Sequence, residues 1–345
     1  MLYDRNSKAI RPIGLRLRPI IESAGLNLEN VRPKQVPDVP PWTLKQPTVL
    51  LDLSNCKKSS TSSVEFQSKF LELNSKYSDH FAVYTDGSKD DARAGCASVS
   101  SLHTSKMRLP ENSSIFSAEV MALELALRFI QTRRDKKFII YSDSLSVLQA
   151  LKNRNFSNPL VQRLLLKHHN MPASKDIVYC WLPSHVGISG NERADKAAKS
   201  SLDLNAAKFR IPHTDLKPII NRHFVSEWQA AWNEESENKL FSIKPVIGES
   251  MLAYRSVRKE EVVLARLRIG HTYLTHVHLL KKEDRPQCVF CDEPYTVKHL
   301  LLECADLLLI RQRYYNVDTM AQLFNTVSYD KILGFLKETG IYSKI

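Results

Sequence analysis

The chain has 345 residues, of which 43% are apolar and 25% charged. That is enough apolar material to bury a core, which excludes a wholly disordered chain and a disulfide-stapled miniprotein. At roughly 150 residues per domain the length predicts about two domains with connectors. Lys and Arg number 49 against 37 Asp and Glu, a net +12. This balance favours a polyanionic partner, with nucleic acid ahead of an anionic membrane surface.

Met1 to Lys8 carries Asp4, Arg5 and Lys8 with no apolar block behind them, and no later run nears the ~20 residues of a membrane span. The expectation is a soluble chain with no membrane partner, intracellular in cytoplasm or nucleus and not secreted. Residues 1–47 are rich in Pro, with one helical stretch around Leu15–Ala24 and an extended linker over Pro33–Pro47. Residues 54–63 read as a loop and Val64–Asn74 as a helix.

From Phe81 the periodicities sharpen. Phe81–Thr85 is a strand stopped by the turn pair Asp86-Gly87, and Gly95–Ser100 and Ser105–Leu109 continue it as a meander. Ser117–Thr132 is a helix with Glu119, Leu123, Ala126 and Ile130 on one stripe. Strand Phe138–Ser142, helices Leu145–Leu151 and Leu160–His168, strand Ile177–Leu182 and helix Asn191–Ser201 follow. This order predicts an α/β domain, a mixed five-stranded sheet with flanking helices. Beyond about residue 208 the pattern turns helical, with Trp228 and Trp232 on one face and a basic helix over Glu260–Ile269. The predicted division is 1–78, an N-terminal Pro-rich segment; 79–204, the α/β domain; and 205–345, a small, mostly helical module.

Four acids stand at element ends. Asp86 ends the first strand, Glu119 opens the first long helix, Asp143 ends the fourth strand and Asp195 lies early in the last helix. Singly, each has an ordinary reading: a hairpin turn, a helix-dipole acid, a helix cap, a surface acid. Jointly, two strand-end aspartates and two inward helix carboxylates can converge on one sheet edge, where they repel unless a hard divalent cation neutralises them. Mg²⁺ or Mn²⁺ suits such oxygens, and two ions roughly 3.5–4 Å apart would clamp a phosphodiester for hydrolysis. Ser189-Gly190-Asn191-Glu192 fits a capping box, giving Glu192 a structural role.

The strings Tyr84-Thr85-Asp86-Gly87-Ser88-Lys89, Ser117-Ala118-Glu119, Tyr141-Ser142-Asp143-Ser144 and, above all, Trp181 through Asp195 resemble type 1 ribonuclease H over about Phe81–Leu202. The resemblance implies a ribonuclease H-like fold and an endonuclease that cuts the RNA strand of an RNA–DNA hybrid, leaving a 3′-hydroxyl and a 5′-phosphate. It implies Asp86, Glu119, Asp143 and Asp195 as ligands of two Mg²⁺ ions, and His185 in proton transfer or product release. No separate basic hybrid-gripping helix stands between Leu151 and Ile177, and Arg133–Lys137 reads as a solvated turn. The alternative is a catalytically silent nucleic-acid-binding remnant.

Near the end, Cys288, Cys291, His299 and Cys304 form C-x2-C-x7-H-x4-C, a thiolate and imidazole set suited to tetrahedral Zn²⁺. The competing reading is a helical core in which His299 and Cys304 pack beside leucines. Leu267 to His276 together with this cluster resembles the tail of jockey-like non-LTR retrotransposon polyproteins, and Arg11-Pro12-Ile13-Gly14-Leu15 is similar to the end of their reverse transcriptase region. That resemblance implies packing or nucleic-acid contacts for His271, His276 and His278.

Overall fold

The computed structural model describes residues 13–32, 39–56, 60–248 and 257–345. Arg11 and Pro12, the start from Met1 to Lys8, the linker stretch Pro33–Asp38 and the loop stretch Lys57–Ser59 lie outside the described residues. The chain separates into two compact units, Met1–Asn221 and Arg222–Ile345.

The first unit contains helix α1 (Ile13–Ser23), strands β1 (Val31–Arg32) and β2 (Thr48–Leu50), helix α2 (Ser63–Lys76), and strands β3 (Phe81–Lys89), β4 (Ala94–Ser100) and β5 (Thr104–Arg108). Helix α3 (Ile115–Thr132), strand β6 (Lys137–Ser142), helices α4 (Leu145–Lys152) and α5 (Pro159–His169), strand β7 (Asp176–Trp181), helix α6 (Ser189–Ser200) and strand β8 (Ile211–Pro212) complete it. The main sheet runs β2-β7-β6-β3-β4-β5, and β1 pairs with β8 separately. β3, β4 and β5 are antiparallel, whereas β3–β6, β6–β7 and β7–β2 are parallel.

This is a mixed, helix-flanked sheet as predicted, with one strand more than the expected five. The sixth is Thr48–Leu50, which joins β7 in parallel just after the segment predicted as a linker. Three residues with little periodicity are too short to announce a strand; the exposed edge of β7 organises them.

Both faces of the sheet are covered, which explains the unbroken apolar runs of β6 and β7. Phe138 and Ile140 face the core beneath α3, α4 and α5, with Ile177 and Tyr179 from β7. Ile139, Tyr141, Val178 and Cys180 face the opposite way, onto Phe66, Phe70 and Leu73 of α2. The Tyr141 hydroxyl donates to Asn74 Oδ1 at 2.8 Å. Half of the sheet is thus covered by a helix from the segment that the predicted division set apart as 1–78.

A second difference concerns Asp86-Gly87. The pair does not turn: β3 continues through it to Lys89, with Asp86 opposite Ala97 and Gly87 opposite Cys96. The glycine serves close approach, since a Cβ on Gly87 would lie 2.9 Å from the Glu119 amide nitrogen. Helix α3 can therefore rest its first turns on β3. Its N-cap is Ser114, whose Oγ accepts from Ser117 N at 3.1 Å.

The second unit is helical, as the sequence predicts. It holds most of α7 (Lys217–Glu234), then α8 (Arg258–Ile269), α9 (Tyr273–Lys281), α10 (Leu308–Tyr314), α11 (Met320–Thr326) and α12 (Tyr329–Glu338), with a π-turn over His299–Glu303. Val263, Leu264, Leu267, Leu301, Leu323, Ile332 and Phe335 form its core. Among the described residues, no helix is long and apolar enough to cross a membrane.

Candidate metal centres

Three of the four predicted acids converge. Asp86 leaves β3, Glu119 descends from α3 and Asp143 follows the last residue of β6, and each offers an oxygen within 4.8 Å of the others. The parallel pairing of Thr85 with Ser142 sets Asp86 beside Asp143. Glu119 belongs to the stripe of Leu123, Ala126 and Ile130, all fully buried, so its carboxylate is carried inward. Asp86 is 5% and Glu119 8% exposed.

Such a cluster resists ionisation. Burial pushes Asp86 up to about 8, with repulsion from Asp143 and Asp195 adding to it and the Gly87 amide opposing. Burial, then Asp143 and Asp86, raise Glu119 well above the ordinary carboxyl range. Asp143 is raised by burial, countered by hydrogen bonds from Asn191 and Asp86. Glu119 Oε2 is buried without a hydrogen-bond partner among the described residues. Buried, mutually repelling oxygens with an unused acceptor are the donor set that a hard divalent cation satisfies.

Asp195 stands slightly apart. It groups with His185 and Glu192 within 4.8 Å and accepts from Lys199 Nζ at 2.8 Å, while its charge still acts on Asp86. His185 is exposed, at φ +55° in the loop before α6, and its charge acts on Asp143. The capping-box reading of Glu192 is corrected here. The N-cap of α6 is Ile188, no side chain caps the helix, and Glu192 sits beside His185 and Asp195 instead. The helix begins one residue earlier than a Ser189 cap requires, and Gly190 in its first turn lies against the Tyr84 ring, where a Cβ would come within 2.3 Å.

Sequence reasoning missed Asn191. It is buried, and its Nδ2 reaches Asp143 Oδ2 at 3.5 Å, a long polar contact. Trp181 Nε1 donates to the Asp143 carbonyl at 3.0 Å and fixes the same corner. Both residues lie inside the Trp181–Asp195 string, so its specificity was the available signal. The run Arg133–Lys137 is tied down locally, with Arg133 paired to Asp135 at 2.8 Å and Lys137 to Asp79 at 2.6 Å.

In the second unit Cys288, Cys291, His299 and Cys304 also lie within 4.8 Å of one another. The Cys304 sulfur is 3.9 Å from those of both Cys288 and Cys291. Burial pushes the Cys288 thiol up, but hydrogen bonds from His299, the Phe290 and Cys291 amides and Cys304 outweigh it and bring it down to about 6. His299 Nε2 is buried with no conventional partner among the described residues. The His271 and His276 rings are tilted by 37° with centroids 4.0 Å apart, and His276 Nδ1 lies 2.7 Å from Thr275 Oγ1.

Residues 78–203 match the family model described as RNase H. The chain is 33% identical over 125 residues to the Pol polyprotein of equine infectious anemia virus (strain Wyoming), covering 34% of this chain and 10% of the relative. It is 32% identical over 125 residues to that of isolate 1369, with the same coverage. The chain thus spans about a tenth of the length of these curated relatives. Among solved structures it is similar to LC11-RNase H1 in complex with an RNA/DNA hybrid, at 21% identity and TM-score 0.31, over 36% of this chain and 96% of that one. RNase H1 from Halobacterium salinarum NRC-1 gives 21% identity and TM-score 0.30, over 36% and 98%.

Proposed function

We propose that the first unit is a type 1 ribonuclease H of retroelement origin, related to jockey-like elements, that hydrolyses the RNA strand of RNA–DNA hybrids inside the cell, in cytoplasm or nucleus. The carrying observation is the meeting of Asp86, Glu119 and Asp143, the first two buried and the third half-buried, within a segment matching RNase H.

Asp86, Glu119, Asp143 and Asp195 would hold two Mg²⁺ ions, with Mn²⁺ as a substitute. When bound, the ions supply activation of water and stabilisation of charge on the phosphodiester. The chain's own residues prepare the site. β3 and β6 fix the two aspartates side by side, the Gly87 amide is directed at the Asp86 and Glu119 carboxylates, and Asn191 steadies Asp143. Lys199 holds Asp195 near the rim, where exposed His185 is free to carry a proton or escort product. Reading of 2′-hydroxyls on one strand would select the hybrid.

The same reasoning supports Zn²⁺ in the second unit, held by Cys288, Cys291, His299 and Cys304. The set combines soft thiols with His299 Nε2, which has no hydrogen-bond partner among the described residues.

Incubation of the purified chain with a hybrid labelled on its RNA strand tests the first reading. Cleavage in Mg²⁺, none in chelator and none by Asp143→Asn is the expected result. Failure of well-folded protein to cleave, or undiminished cleavage by Asp143→Asn, overturns it and leaves binding without turnover.

A further inference from the structure

The second unit contains a cavity of about 280 Å³ that belongs to neither metal centre. Four cationic side chains line it, Lys239, Arg268, Arg285 and Lys298, and no acid does among the described residues. Lys298 is partly spent, since Glu303 holds its ammonium at 2.6 Å. Lys239 and Arg285 stand exposed at the rim.

Arg268 is the unusual member. It is only 8% exposed, and its Nε and Nη2 are buried with no hydrogen-bond partner among the described residues. Its guanidinium lies over the rings of Tyr329 and Phe324, 5.1 and 5.5 Å from their centroids. Stacking fixes the fork but satisfies none of its donors, and a buried charged donor without an acceptor is costly. Gly270, at φ +77°, ends α8 as its left-handed C-cap beside the Lys239 stem. The walls between the cations are apolar, with Ile243, Leu267 and Val297 buried there. The positive field extends outward. His276 is lowered by burial first, then by His271, Lys239, His278 and Arg285.

We infer that this cavity binds the phosphate of a nucleotide. Arg268 provides a planar guanidinium in the wall, Lys239 and Arg285 provide charge at the mouth, and the apolar wall faces sugar or base. Two sources share that chemistry, a nucleotide within an unpaired strand and a free mononucleotide. The inference stands apart from catalysis in the first unit, because a single DNA strand is no substrate of the proposed hydrolysis.

The test uses the full chain, a labelled single-stranded oligodeoxythymidine and, separately, AMP. Lys239→Gln with Arg285→Gln is compared with Lys331→Gln with Lys344→Gln, which removes the same charge away from the cavity. For the rim pair, oligonucleotide affinity should fall about tenfold and the salt slope by roughly one, at ~0.7 per phosphate contact. The control pair should change little. Arg268→Lys, which keeps the charge and loses the fork, should weaken binding while the melting curve shows the fold intact. Tight AMP binding lost in the same rim pair would assign the site to a free nucleotide, and oligonucleotide binding with weak AMP competition assigns it to a strand. Equal losses in rim and control pairs, or wild-type binding of both probes by the rim pair, overturn the inference.

Discussion

The acidic cluster of the first unit draws Asp86 from one strand, Glu119 from a helix and Asp143 from the end of another strand, and only the folded sheet makes them neighbours. The thiol and imidazole cluster of the second unit comes from one short stretch, with Cys288 and Cys304 just 16 positions apart. Local spacing can assemble a soft-ligand site almost by itself. A hard-ligand site made of mutually repelling carboxylates needs a rigid scaffold to hold its members against that repulsion. The difference predicts that the two sites fail separately and with different signatures.

The largest effect should come from Asp143→Asn, which is expected to lower hybrid cleavage by ~10³-fold or more, equivalent to several kcal/mol of lost charge stabilisation. Zinc content, measured by elemental analysis, should stay at about one ion per chain. Cys304→Ala should do the reverse, emptying the zinc site while cleavage per folded chain remains within about twofold. If either variant disturbs both readouts, the separation of the two sites is wrong.

Next in size is the charge network on the back of α3. Glu124 is 4% exposed and receives Arg128, at 2.7 Å, and Arg163. Arg163→Met leaves that buried carboxylate short of a partner and should destabilise the first unit by ~3 kcal/mol, seen as a lower denaturant midpoint. Changing Glu124 to Gln in the same chain should recover part of the loss, because the buried charge left with fewer cations goes with it.

The acidic cluster also gives a pH signature opposite in sign to that of Cys288, whose lowered thiol favours the folded state as pH rises. Because Asp86 is raised from 3.8 to about 8 in the folded chain, the folded state binds the extra proton between those values. Metal-free stability should therefore fall as pH rises across that window. Thermal melts of the metal-free chain from pH 5 to 8 should drop by several degrees, and both Mg²⁺ and Asp86→Asn should flatten the slope. A flat profile in the metal-free wild type would remove the electrostatic basis of the site.

The smallest expected effect is local. In α11 the Thr319 hydroxyl accepts from Gln322 N at 3.1 Å, and Gln322 Oε1 accepts from Thr319 N at 3.2 Å. Thr319→Ala should cost about 1 kcal/mol in the second unit and leave hybrid cleavage unaltered.

Strands β3, β4, β6 and β7 and helices α3 to α6 were legible in the sequence because their signals are local: apolar runs, helical stripes and flanking turn residues. The residue types and order also singled out the acids and the Cys/His set, of which three acids and all four Cys/His residues come within 4.8 Å of one another. What stayed hidden depends on distant neighbours. Thr48–Leu50 becomes a strand only because β7 offers an edge, and α2 becomes core only because Ile139 and Tyr141 face it. Asp86-Gly87 has the composition of a turn, yet pairing with β4 and the approach of α3 keep it extended. Glu192 has the spacing of a cap, yet α6 already starts at Ser189 and carries Glu192 beside His185 and Asp195. By itself the sequence determined which groups are present and how each segment prefers to fold. Tertiary structure decided which carboxylates lose their water together and which arginine is buried with its Nε and Nη2 unpartnered among the described residues, because desolvation and repulsion act through space and not along the chain.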